Sequence, residues 1–171
     1  MCGITGFVVN EKISVIPVLE SMMNQIIHRG PDGSGMYVDS HIALGHRRLS
    51  IIDIEGGGQP VKNEDERFVC IYNGEIYNYK ELRNQLEGQG HVFVTNSDTE
   101  VLLHGYEEWK KELPEKLRGM FAFVIWDREE KELFCARDSF GIKPFYYYDR
   151  DDVFLFGSEI KCFLSHPGFK K

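Results

Sequence analysis

The sequence predicts an α+β layered domain, with antiparallel sheets carrying helices on their outer faces. Three observations lead there. Strand-like runs come in clusters joined by short polar turns, whereas a doubly wound parallel sheet needs a helix after nearly every strand. Aromatic residues make up 13% of the chain and concentrate in those runs, as a thick sheet-on-sheet core requires. At 171 residues the chain is one domain's worth, long enough to bury roughly 70% of its unfolded surface.

Each element has its own signal. Residues 3–9 (GITGFVV) read as a buried strand. Ser14 is placed to cap a helix whose apolar positions Val15, Ile16, Leu19, Met22, Met23, Ile26 and Ile27 share one face. Pro17 lies in its first turn, where proline is tolerated. RGPDGSG (29–35) reads as a loop, MYV and IAL as short strands, and GHRRLSIID (45–53) as the approach to a mobile loop, EGGGQP (55–60). Arg67–Tyr72 is a strand, and Asn73-Gly74 is a strong tight-turn signal. Residues 79–87 form a short helix stopped by Gly88, and HVFVT (91–95) is another strand. Ser97 and Glu100 have capping-box spacing and open a helix with Val101, Leu102, Gly105, Tyr106 and Trp109 on one face. The continuous apolar run MFAFVIW (120–126) is a fully buried strand. LFCAR (133–137), PFYYY (144–148) and VFLFG (153–157) add three more, and a last helical stretch follows from Ser158.

Composition narrows the function. Charged residues are 27% of the chain and the net charge is −7, which lacks the basic footprint of a nucleic-acid binder and does not suit an anionic membrane surface. No run approaches the ~18 apolar residues of a membrane helix, and the first residues have no basic segment ahead of an apolar one, so no signal peptide is expected. Cys2, Cys70, Cys135 and Cys162 form no C-x-x-C pair, and the six histidines show no ligand spacing. The expectation is a reduced, cytoplasmic protein with no metal, no nucleic acid and no membrane; a homo-oligomer is left open.

One cysteine stands apart. Removal of Met1 before the small residue Cys2 places a thiol and a free α-amine on the same residue. An α-amine titrates near ~7.7–8.0 and suits a general base, so it can activate its own side-chain nucleophile without a histidine. Asp98 is marked by geometry: it heads the helical face that otherwise points into the core, and an inward carboxylate needs a partner such as a ligand ammonium. Taken singly, Cys2 reads as a small residue opening a strand, whereas the inward position of Asp98 favours a ligand partner over a plain capping role.

Taken together, MCGITGF, HRGPDG (28–33), GHRRLSIID (45–53), YNGEIYN (72–78), SDTE (97–100), GMFAF (119–123), ARDSFGIKPFYY (136–147) and SEIK (158–161) occur in one order. This set resembles the glutamine amidotransferase domain of the N-terminal-nucleophile type, and within it the amino-terminal domain of the glutamine-hydrolysing asparagine synthetases. The resemblance implies a four-layer αββα sandwich of two antiparallel sheets over residues 2–171, with a synthetase domain following. It implies hydrolysis of the side-chain amide of L-glutamine through a thioester on Cys2. Asn73 and Gly74 would form the oxyanion hole. Arg48 would hold the α-carboxylate, with the backbone of Leu49, Ser50, Ile51 and Ile52 lining the pocket. Asp98, helped by Glu75, would hold the α-ammonium. No cofactor is implied in this domain; ATP and magnesium belong to the synthetase domain, the expected partner. Arg137, Asp138, Lys143 and Tyr147 are read as structural, Arg47 as a surface charge, Gly56–Gly58 as hinges closing over glutamine, and Glu159 and Lys161 as left for a partner domain. Two alternatives stay open: the amidotransferase domain of a sugar- or peptide-modifying enzyme, and a non-catalytic glutamine-binding module.

Overall fold

The computed structural model describes residues 1–9, 13–49 and 58–170. The first sheet has five strands in the order β2 (Gly33–Val38), β3 (Ile42–Arg48), β1 (Gly3–Val8), β9 (Val153–Gly157) and β8 (Tyr146–Arg150). The second has four, β4 (Val61–Lys62), β5 (Phe68–Ile76), β6 (Gly119–Asp127) and β7 (Glu132–Arg137). Every strand pair within the two sheets is antiparallel. Helix α1 (Val15–Gln25) and a 3₁₀ turn at Ile160–Ser165 cover the outer face of the first sheet; α2 (Tyr79–Gly88), α3 (Asp98–Trp109) and the short α4 (Leu113–Lys116) cover the second.

Side chains alternate across a strand, so each strand feeds two cores. In β5, Val69 and Ile71 join Ile4, Ile42, Leu44, Val124 and Phe156 between the sheets, while Cys70 and Tyr72 pack outward beneath Val101, Leu102 and Tyr106 of α3. In β1, Ile4 faces the opposite sheet and Phe7 faces Leu19 and Met22 of α1. The domain is thus helix, sheet, sheet, helix, as the resemblance implies.

The structure departs from the sequence reading in several places. Asn73 and Gly74 lie inside β5, paired with Ala122 and Phe121, and make no turn. Dipeptide preference is local; here the neighbouring strand decides, because a Cβ at Gly74 would come within 2.3 Å of the Met120 carbonyl oxygen and 2.8 Å of the Phe121 Cα. Residues 91–95 form no strand. Their edge is satisfied locally: the Glu100 carboxylate accepts from the Val94 and Thr95 amides at 2.7 and 2.8 Å. That diverts Glu100 from the capping box; Ser97 still caps α3, accepting from the Thr99 amide at 3.0 Å. Gly33–Gly35 belong to β2 and Gly45–Arg48 to β3, and the strand read at 144–148 starts at Tyr146. Helix α1 ends at Gln25, short of the Ile27 expected, and Ser14 makes no side-chain cap. The residue after α2 that adopts positive φ is Gly90, at 104°, rather than Gly88.

Candidate active site

Two anchors hold the sheets in register. At one end the Trp126 indole Nε1 donates to Asp39, in the turn between β2 and β3, at 2.8 Å. Further along, the buried imidazole of His46 interacts with the backbone of Tyr72. Ile42, Leu44 and His46 share one face of β3, so Arg48 continues that face; Cys2 shares the parity of Ile4, which pairs with His46. On β5, Asn73 and Glu75 continue the face of Val69 and Ile71. Cys2 and Arg48 on one sheet are therefore aimed toward Asn73 and Glu75 on the other, at the open end of the space between the sheets.

Cys2 is held from several sides. Its Sγ accepts from the Leu49 amide at 3.4 Å and lies 3.7 Å from the Leu49 carbonyl oxygen. The Arg29 guanidinium donates through Nε to the Cys2 carbonyl at 3.1 Å and through Nη1 to Glu159 at 3.2 Å. Glu159 also takes His28 at 2.8 Å and Lys161 at 3.0 Å. Hydrogen bonds from these three side chains outweigh burial and pull its carboxyl down to about 2. Glu159, through Arg29, thus ties the segment after β9 to the Cys2 carbonyl. Arg29, which links the Cys2 carbonyl to Glu159, is a residue that sequence reasoning did not single out. Arg47 is no solvated charge either: it donates to the Met23 carbonyl at 3.2 Å and the Asn24 side chain at 2.5 Å, closing the end of α1.

The edge of β5 carries the polar groups. Amides two residues apart point to the same edge of a strand. The Tyr72 amide donates to the Gln59 side chain at 2.6 Å, and the Ile76 amide to Asp98 Oδ2 at 3.0 Å. The Gly74 amide lies between them and points the same way, away from β6. β4 covers only Val69 and Cys70 of this edge, which leaves the stretch from Tyr72 to Ile76 uncovered by any strand among the described residues. Beside it, Asn73 is 2% exposed, and its Nδ2 has no hydrogen-bond partner among the described residues. A buried, unpartnered amide donor is costly unless a ligand oxygen meets it.

Asp98 sits at the first turn of α3, inward as its periodicity demands. It also accepts from the Tyr72 hydroxyl at 2.8 Å. Burial, with Glu75 nearby adding to it, raises its pKa above the ordinary carboxyl value despite those two donors. Neither of them, the Tyr72 hydroxyl or the Ile76 amide, carries a positive charge. Glu75 itself is exposed. Leu49 is described and touches Cys2; Ser50, Ile51 and Ile52, with Gly56 and Gly57, lie outside the described residues. The RDSFGIKP loop is self-supporting: Asp138 accepts the amides of Phe121, Ile142 and Lys143, and Arg137 donates to the Lys143 and Gly141 carbonyls. Lys143 is buried and its Nζ lies 3.3 Å from the Met1 sulfur. Tyr147 is exposed and stacks on Phe154.

A cysteine at the second residue, placed at the mouth between two antiparallel sheets with helices outside, is the arrangement of an N-terminal-nucleophile amidohydrolase. Comparison with known proteins agrees. The family model described as "Glutamine amidotransferase domain" matches residues 1–171. The chain is 45% identical over 174 residues to asparagine synthetase [glutamine-hydrolyzing] 3 of Bacillus subtilis (strain 168), covering 99% of this chain and 28% of that protein. It is 49% identical over 168 residues to asparagine synthetase [glutamine-hydrolyzing] 1 of the same organism, covering 96% and 27%. Among solved structures, glutamine phosphoribosylpyrophosphate amidotransferase from B. subtilis, complexed with ADP and GMP, superposes with a TM-score of 0.80 at 25% identity, over 96% of this chain and 43% of that one. The chain belongs to the glutamine amidotransferase domain family and is homologous to the amino-terminal domain of asparagine synthetase. It spans just over a quarter of the length of those two synthetases.

Proposed function

We propose that Cys2 is the nucleophile of this domain and that L-glutamine lies with its side-chain amide at the open edge of β5. The observation that carries this reading is the buried, unpartnered Nδ2 of Asn73 beside the outward-pointing Gly74 amide. Once cleavage of the Met1–Cys2 bond frees the α-amine of Cys2, that amine takes the thiol proton as Sγ attacks the amide carbon. Asn73 Nδ2 and the Gly74 amide receive the negative charge that develops on the carbonyl oxygen. The amine returns the proton to the leaving nitrogen, the C–N bond breaks, and ammonia departs. Water then attacks the thioester, releasing glutamate and restoring the thiol. Arg48 takes the α-carboxylate, where a guanidinium binds two oxygens at once. Asp98, helped by Glu75, takes the α-ammonium, and Leu49 and the residues after it line the pocket.

The names of the relatives and the share of their length covered here support an ATP-dependent, asparagine-forming synthetase domain as the consumer of the ammonia. ATP and magnesium would belong to that domain. Exposed Phe140 and Ile142, on the loop whose Lys143 reaches Met1, support a partner surface close to the nucleophile. The four cysteines are all unpaired, which supports a reducing, cytoplasmic setting; no helix among the described residues is long and apolar enough to cross a membrane.

The test is a thiol-directed glutamine analogue followed by peptide mapping. Label is expected on Cys2 alone, because burial raises the Cys162 thiol to about 11, Cys135 to about 12 and Cys70 further still. Cys2→Ala is expected to lose glutamine hydrolysis and keep its melting temperature. Hydrolysis at wild-type rate in that variant sinks the assignment.

A further inference from the structure

We propose that His91, His104 and Glu107 form a zinc site on the outer helical layer, apart from the glutamine site. Neither histidine has ligand spacing in the sequence, and no metal is expected from it; the fold brings them together. His104 and Glu107 lie one turn apart on α3, and His91 comes from the segment after α2. Three ligand atoms converge: His91 Nδ1 and His104 Nδ1 are 3.1 Å apart, His104 Nδ1 and Glu107 Oε2 3.0 Å, and His91 Nδ1 and Glu107 Oε2 3.2 Å. Donors on zinc bonds of 2.0–2.1 Å with tetrahedral angles stand about 3.3 Å apart. The triangle is thus one face of a zinc tetrahedron, drawn in slightly. The site is empty.

Hydrogen bonding alone does not account for this triangle. An imidazole nitrogen has one in-plane lone pair or one proton. A proton on one nitrogen serves at most two of the three contacts. The third then sets two lone pairs, or two protons, against each other, and a cation at the centre satisfies all three atoms together.

The surroundings favour the same state. His91 Nε2 lies 2.9 Å from Glu108 Oε1; a carboxylate oxygen only accepts, so the tautomer that suits this contact carries its proton on Nε2 and offers Nδ1 to a metal. Carboxylate oxygens of Glu64 and Glu100 stand 3.7 Å from His104 Nε2. Asn63 Nδ2 donates to Glu107 Oε1, leaving Oε2 for the site. Each ligand thus has its other polar atom engaged or faced by a neighbour, as ligands in metal sites do. Two imidazoles and one carboxylate match zinc in softness and leave a fourth position for water. The His104 side chain is 2% exposed and those of His91 and Glu107 are 14% and 20%, so the site is sheltered with one open side. Bound zinc would tie the strandless segment 91–97 to α3, and this segment leads directly into Asp98.

The chain, freed of metal and then dialysed against zinc, is expected to retain one equivalent and to melt at a higher temperature. Cobalt(II) is expected to give the visible d–d bands of a four-coordinate site without thiolate-to-metal charge transfer. Glu108→Gln, which touches only the outer face of His91, is expected to weaken zinc binding ~10–100-fold. His91→Gln is expected to abolish stoichiometric binding while far-UV circular dichroism stays unchanged. Failure of the folded wild-type chain to retain zinc, a thiolate charge-transfer band, or undiminished binding in His91→Gln overturns the proposal.

Discussion

The two edges of β5 are made by one strand and do opposite work. Along one edge every residue from Phe68 to Ile76 pairs with β6. Along the other, β4 covers only Val69 and Cys70, and past it the amides of Tyr72 and Ile76 go to side chains, Gln59 and Asp98. A paired edge spends its donors on the neighbouring backbone. An edge left short of strand can offer a donor to a ligand. Substitutions along the paired side should therefore act on stability, and substitutions along the open side on catalysis or substrate binding.

The largest break in that comparison is Phe123→Ala on β6. Phe123 is fully buried and opposite Tyr72, and losing its ring should cost about 3–5 kcal/mol in urea unfolding. Asn73→Ala comes next: removal of one oxyanion donor should lower kcat ~10²–10³-fold, with little change in KM or melting temperature, read by steady-state glutaminase kinetics. Asp98→Asn should raise the KM for glutamine by roughly tenfold or more, since a hydrogen bond to a charged group is worth about 1.5–3 kcal/mol. Asp98 also sharpens the comparison through pH. Its folded pKa is raised by burial. As pH climbs from the ordinary carboxyl value toward the raised one, the empty domain loses stability, because the folded form holds the proton more tightly. Over the same window the KM for glutamine should fall, because only the ionised carboxylate pairs with the ammonium. The smallest effect is Gln59→Ala, which leaves the Tyr72 amide without its acceptor and should cost about 1 kcal/mol in urea.

Elements with a long, one-sided signal were legible in the sequence. The apolar run of β6 and the periodic faces of α1 and α3 needed no partner to be recognised, whereas the order of the four layers came from the family resemblance. The Asn73-Gly74 pair was not legible as strand, because its turn preference is a property of the dipeptide while its strand conformation depends on Phe121 and Met120 across the sheet. The residue types of the candidate site were readable, including the inward Asp98. Their convergence was not: it depends on the parity of β1, β3 and β5 and on two anchors, Trp126–Asp39 and His46–Tyr72, that join distant parts of the chain. Arg29 left no local trace, since its task is defined by the carbonyl of Cys2 and the carboxylate of Glu159.

The strand order of the first sheet has a consequence for folding. β1 lies between β3 and β9, so the strand that follows Cys2 is bordered by one segment close to it in sequence and one far from it. The second sheet draws its strands from the middle of the chain and can zip up by local hairpins, whereas pairing β1 with β9 must close almost the whole chain into a loop, a slow step for any fold. The start of β1 is thus among the last parts of the domain to be fixed in place. The proposed glutamine site is therefore incomplete until β9, which ends at Gly157, has paired with β1.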